Sequence, residues 1–121
     1  MNKINLQEKF ELFSDQWSPK IVGEAGDQYI KLAKVQGEFV WHKHDNEDEL
    51  FMVVKGKLTI KMRDGDVELN VGELFVVPKG IEHCPVAEEE THIILLEPKA
   101  TAHTGEVESD ITVPVEKQEW I

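Results

Sequence analysis

Between Pro19 and Pro98 the chain is a succession of short apolar runs cut by turns, with no helical stretch among them. The runs are "KIV", "QYIKLAKV", "EFVWHKH", "ELFMVV", "KLTIKM", "VELNV", "ELFVVP", "IEHCPV" and "THIILLE". Two of them alternate cleanly, with Leu58, Ile60 and Met62 on one face and Val67, Leu69 and Val71 on the next. The turn between those two, Arg63-Asp64-Gly65-Asp66, has the Asp-Gly pair that tolerates the positive φ of a tight hairpin. Strands at this spacing with no crossover helices predict an all-β antiparallel sandwich or barrel.

Three runs, "LFMVV", "LFVV" and "IILL", are apolar on both faces. A half-solvated strand alternates, so these need cover on two sides. One side fills a barrel lumen. The other is covered by a second sheet, by another subunit, or by the one helix the sequence predicts. That helix is "NLQEKFELF", with Asn5 as cap, Glu8 as capping-box partner, and Leu6, Phe10 and Phe13 on one apolar face. One short helix covers less than three such strands expose, which predicts a homodimer.

The 121 residues predict one domain over 1–121, with a barrel core of about 28–98, an extension over 1–27 and a tail over 99–121. In the tail, residues 111–115 read as a further strand. The net charge of −11 repels nucleic-acid phosphates and anionic lipid, so neither nucleic acid nor membrane is an expected partner. The single cysteine, Cys84, leaves no intramolecular disulfide to form. No secretory leader and no run near the ~20 apolar residues of a membrane helix is present, and a cytoplasmic protein is expected.

The chemistry concentrates in "WHKHDNEDELF" and "GELFVVPKGIEHCP". Residues two apart on a strand share a face, so His42 and His44 point one way and Trp41 and Lys43 the other. Glu49 follows a four-residue turn and folds back beside them. Gly72, Pro78 and Gly80 shape a turn that delivers His83. Three neutral imidazoles and a carboxylate on one face form a transition-metal site. Cys84 is expected to turn away as a buried thiol. His92 is expected at a strand edge, His103 on the surface and Trp41 in packing.

Gly37, four residues, His42-x-His44, four residues, Glu49, six residues, Gly56, followed by Gly72, five residues, Pro78-x-Gly80, two residues, His83, resembles the paired motifs of the cupin superfamily. The resemblance covers residues 28 to 98. It implies a cupin β-barrel of the jelly-roll type, with His42, His44, Glu49 and His83 as ligands of one divalent transition-metal ion per chain: Fe, Mn, Ni, Co or Zn. Two departures stand out. The family usually has five residues between the first glycine and the first histidine. The asparagine that often follows the last ligand is Ala87 here, which removes a polar support from the site.

Such a ligand set leaves coordination positions open, the mark of a catalytic rather than a structural ion. Arg63 is the only arginine, in an acidic chain, which weighs against a phosphosugar or dicarboxylate pocket. The expected function is a metal-dependent oxidoreductase, such as a dioxygenase, or an isomerase, acting on a small oxygenated molecule. The alternative is a non-catalytic metal or small-molecule binding or sensing module.

Overall fold

The computed structural model describes residues 2–101, 105, 114 and 117–121. One short helix, α1 (Leu6–Phe10), precedes eight strands: β1 (Lys20–Ala25), β2 (Gln28–Glu38), β3 (Glu49–Lys55), β4 (Leu58–Met62), β5 (Val67–Leu69), β6 (Leu74–Val77), β7 (His83–Pro98) and β8 (Glu119–Trp120). The fold is the expected all-β antiparallel barrel with an N-terminal helix. Asn5 caps α1 by accepting a hydrogen bond from Glu8 N at 3.0 Å.

The backbone departs from the sequence expectation at two places. "IEHCPV" and "THIILLE" are not two strands, because β7 runs unbroken for sixteen residues. "EFVWHKH" is not a strand beyond Glu38. After it only an isolated bridge, His42 to His83, joins the ladder. Residues 111–115 contribute only Pro114 to the described residues, so the tail strand expected there lies outside them.

Strand β7 organises the barrel. Its first part pairs with β4 (Thr59↔Val86, Met62↔His83), its second part with β3 (Leu50↔Leu96, Val53↔Ile93), and nearly all of it with β2. A register shift at Val35/Gly37 bends β2 around the barrel. The inward residues are Ala33 and Val35 of β2, Phe51 and Val53 of β3, Leu58 and Ile60 of β4, and Ile93 and Leu95 of β7. Their alternate neighbours face outward. Phe10 of α1 packs there against Val22 and Leu32, with Val54 and Ile94 beside them. The helix therefore covers part of the second apolar face, one of the covers the sequence called for.

The β3–β4 turn is fixed by Gly56, whose φ is +91°. A Cβ there would stand 2.5 Å from Thr91 Oγ1 and 3.1 Å from Thr91 Cα. Thr91 is fully buried, and its hydroxyl accepts a hydrogen bond from Lys57 N at 3.3 Å. Neither the backbone nor the neighbour can accommodate a side chain. Gly56→Ala should therefore cost about 2 kcal/mol or more, from left-handed strain and the clash together. Urea unfolding checks it, and an unchanged midpoint would mean that the turn repacks freely.

Candidate metal centre

Two loops carry the site, and main-chain hydrogen bonds tie them together. His42 N donates to His83 O at 3.0 Å, and His83 N donates to His42 O at 2.9 Å. Gly80 N donates to His44 O at 2.8 Å. Lys79 N donates to Asp48 Oδ1 at 2.9 Å. Glu49 opens β3, one step beyond the Leu50↔Leu96 pair and on the inward face with Phe51 and Val53.

All four predicted residues come together, and all four are buried. Their candidate ligand atoms lie within 4.8 Å of one another. Nδ1 of His42 lies 2.9 Å from Val40 O, and Nδ1 of His83 lies 2.9 Å from Ile81 O. A carbonyl only accepts, so each Nδ1 carries the proton and each Nε2 keeps its lone pair. Nε2 of His42, His44 and His83 are buried without a hydrogen-bond partner. The Oε1 atom of Glu49 lies 3.4 Å from Nε2 of both His44 and His83. A first-row ion with bonds of about 2.1 Å spaces its ligands by about 3–4.2 Å. Three orphaned imidazole nitrogens around one carboxylate, with both Glu49 contacts inside that range, are the donor set such an ion takes.

The electrostatics agree. Burial pushes the His42 pKa down to about 4, with the neighbouring His83 adding to the effect. Burial also opposes charge on His44, but Glu49 outweighs it and His44 titrates above the usual imidazole range. Burial pushes the Glu49 carboxyl up; a hydrogen bond from Glu97 and the contacts with His44 and His83 outweigh it and hold Glu49 well below the usual range. Glu97 is raised well above that range by its own burial and by Glu49. The two buried carboxyls are thus pushed in opposite directions.

Glu97 and its partner Lys31 are buried neighbours of the cluster that the motif reading missed. Lys31 Nζ donates to Glu97 Oε1 at 2.8 Å, and both side chains are almost completely buried. The signal was present in parity. Lys31 shares its face with Ala33 and Val35, and Glu97 shares its face with Ile93 and Leu95. A charged residue at an inward position needs a partner.

The competing residues lie elsewhere. Cys84 is buried, and burial with the nearby Glu38 carboxylate raises its thiol to about 11. His92 faces outward, stacked on Phe10 at 4.5 Å. Arg63 lies over the Trp41 ring at 3.8 Å and reaches Glu82 at 3.4 Å. Lys43 is exposed beside Asp45. His103 lies outside the described residues.

Beside the cluster is a small lumen cavity, lined by Trp17, Phe39 and Phe51 among others, with His42 and Glu49 as its polar wall. A barrel of this topology with a buried His-His-Glu-His cluster is the arrangement of a cupin domain. Residues 28–99 match the Cupin domain family, so the chain belongs to it. It is similar to a cupin-2 domain containing protein of Shewanella frigidimarina, with 49% identity over 78% of this chain and 93% of that one and a TM-score of 0.78. It is similar as well to protein NMB1881 of Neisseria meningitidis, with 28% identity over 80% of this chain and 99% of that one and a TM-score of 0.74. Uncharacterized protein YdbB of Bacillus subtilis is 36% identical over 63 residues, 51% of this chain. The match spans about half of that relative, 56% of its length.

The depressed His42 pKa makes a signed prediction. Its folded value, about 4, lies below the ordinary 6.5, so the fold favours neutral imidazole. The stability this contributes is present above pH 6.5 and is lost as pH falls toward 4. In chelator-treated protein it should amount to about 1.5 kcal/mol between pH 6.5 and 5. Urea midpoints across that window should fall more steeply for the wild type than for His42→Gln. Parallel slopes would remove His42 as the cause.

Proposed function

We propose that one divalent transition-metal ion is held by His42, His44, Glu49 and His83. We further propose that the protein is an enzyme, an oxidoreductase or isomerase acting on a small oxygenated molecule. The observation that carries this reading is the convergence of three partnerless, buried Nε2 atoms on one carboxylate at the wall of an apolar lumen. When bound, an ion of iron, manganese, nickel, cobalt or zinc supplies Lewis acidity toward an oxygen ligand. The chain does the rest. The carbonyls of Val40 and Ile81 aim two imidazoles, Glu97 and Lys31 steady Glu49, and the apolar wall keeps bulk water out. The lumen lining holds no lysine or arginine among the described residues, which matches an uncharged substrate.

A second reading, a non-catalytic metal or small-molecule binding module, draws on the same lumen, because its aromatic walls leave little room. Metal binding is common to both and is tested first. Elemental analysis after loading should give one ion per chain. His83→Ala should weaken binding by about 100-fold or more, and Lys43→Ala should leave it unchanged. Affinity should fall as pH drops from about 7 to 5, because protons compete for the imidazoles. Failure to take up any of the five ions, or equal loss in both variants, would refute the site.

We also propose a homodimer of single-domain chains, acting in the cytoplasm on a small molecule rather than on nucleic acid or membrane. Among the described residues no helix is long and apolar enough to cross a membrane. The outward face of β6–β3–β7 carries Leu74, Val76, Leu50, Met52 and Leu96, paired across the strands. Leu74 and Val76 are exposed. Light scattering should give a dimer mass at micromolar concentration, and Leu74→Glu should shift it to monomer. A wild-type monomer would overturn this.

A further inference from the structure

Trp17 lies outside the motifs and outside the stretch matched to the family, in the segment between α1 and β1. Its φ is +57°, the only positive φ of a non-glycine among the described residues. A bulky residue holds that conformation only where its surroundings compensate the strain. Here they do. Trp17 N donates to Lys34 O and its indole Nε1 donates to Gln36 O, both at 2.9 Å. On one side Gln16 Nε2 donates to Glu90 Oε2 at 2.7 Å, and on the other Lys20 Nζ meets Asp15 Oδ2 at 2.8 Å.

These anchors place the indole flat on Phe39, with centroids 4.5 Å apart and planes 13° apart. Phe39 in turn stands edge-on to His42 at 5.3 Å. Trp17 is half-buried and also lines the lumen cavity, so its ring forms part of the wall between the surface and the cluster. The space left inside is about 30 Å3. That is room for about two or three water-sized groups.

We propose that Trp17 is a size-selecting plug in the lumen. Seated, it admits to the cluster only molecules of a few heavy atoms, apolar or uncharged apart from the oxygen that meets the site. It is a specificity-determining residue, not a catalytic one. The proposal deepens the functional reading above, but it concerns access and can be read on metal-free protein.

The test uses diethyl pyrocarbonate, a reagent larger than the cavity, on the chelator-treated full chain near neutral pH. His42 presents an uncharged Nε2 to it. Trp17→Gly removes the ring and suits the backbone, because glycine adopts φ near +57° without strain. If the seated ring occupies the opening nine-tenths of the time or more, His42 should react about tenfold or more faster in Trp17→Gly. His92, outside the lumen on Phe10, should keep its rate. Peptide mass spectrometry reads both. Equal His42 rates in the two proteins would overturn the plug. If the glycine variant loosens the barrel, both histidines accelerate together and Trp17→Phe decides. Faster reaction at His42 alone in that variant supports the plug, and the wild-type rate overturns it. Zinc uptake is measured separately. A chain that takes no zinc yet shows the His42 acceleration loses the metal reading and keeps the plug.

Discussion

The inward-facing side chains of β7, in two runs either side of an exposed break at 88–90, are what the rest of the molecule depends on. His83, Pro85 and Ala87 before that exposed stretch, and Thr91, Ile93, Leu95 and Glu97 after it, are buried. Because β7 pairs with β2, β3 and β4 in turn, their alternation sets which face of each neighbour fills the lumen. A slip of one residue would exchange the apolar filling and the site for their outward neighbours at once. The same strand therefore carries a site histidine at one end, the core in the middle and a buried carboxyl at the other.

Burial of charge is the second constraint. Glu49, Glu97, Lys31 and three imidazoles are buried together beside the apolar filling of the lumen. Uncompensated, each ionised group would cost several kcal/mol. The arrangement removes charge where it can. Burial favours neutral His42 and raises Glu97, and Lys31 is joined to Glu97 at 2.8 Å. What is left is Glu49, held toward its ionised form, facing three imidazole nitrogens, a polarity suited to a cation. The site's charge balance is thus set by groups on β2 and β7 as much as by the motif residues.

The outer surface divides in a similar way. Phe10 of α1 covers Leu32 and Val22, while Leu74 and Val76 of β6 stay exposed. The segment linking α1 to β1 does more than connect them, because it turns Trp17 onto Phe39. A region with no recognisable motif thereby forms part of the lumen wall.

Much of this was determined by sequence alone. Period-two alternation, the Asp-Gly turn at Gly65 and the capped helix at Asn5 are local patterns, and local patterns specify the strands, the turn and the helix. His42 and His44 are two residues apart and Glu49 follows across one turn, but His83 was joined to them only by the resemblance to the paired cupin motifs. Tertiary structure alone decided the merging of two expected runs into β7 and the replacement of a regular strand at His42 by one reciprocal bridge to His83. It also decided the seating of Trp17 on Phe39 and the meeting of Lys31, Glu97 and Glu49. In the sequence, Lys31 and Glu97 are only charged residues on inward-facing positions sixty-six apart. Their partnership, and the direction in which each pKa moves, exists only once β2, β3 and β7 lie side by side, because Coulomb and desolvation energies depend on distance in space and not along the chain.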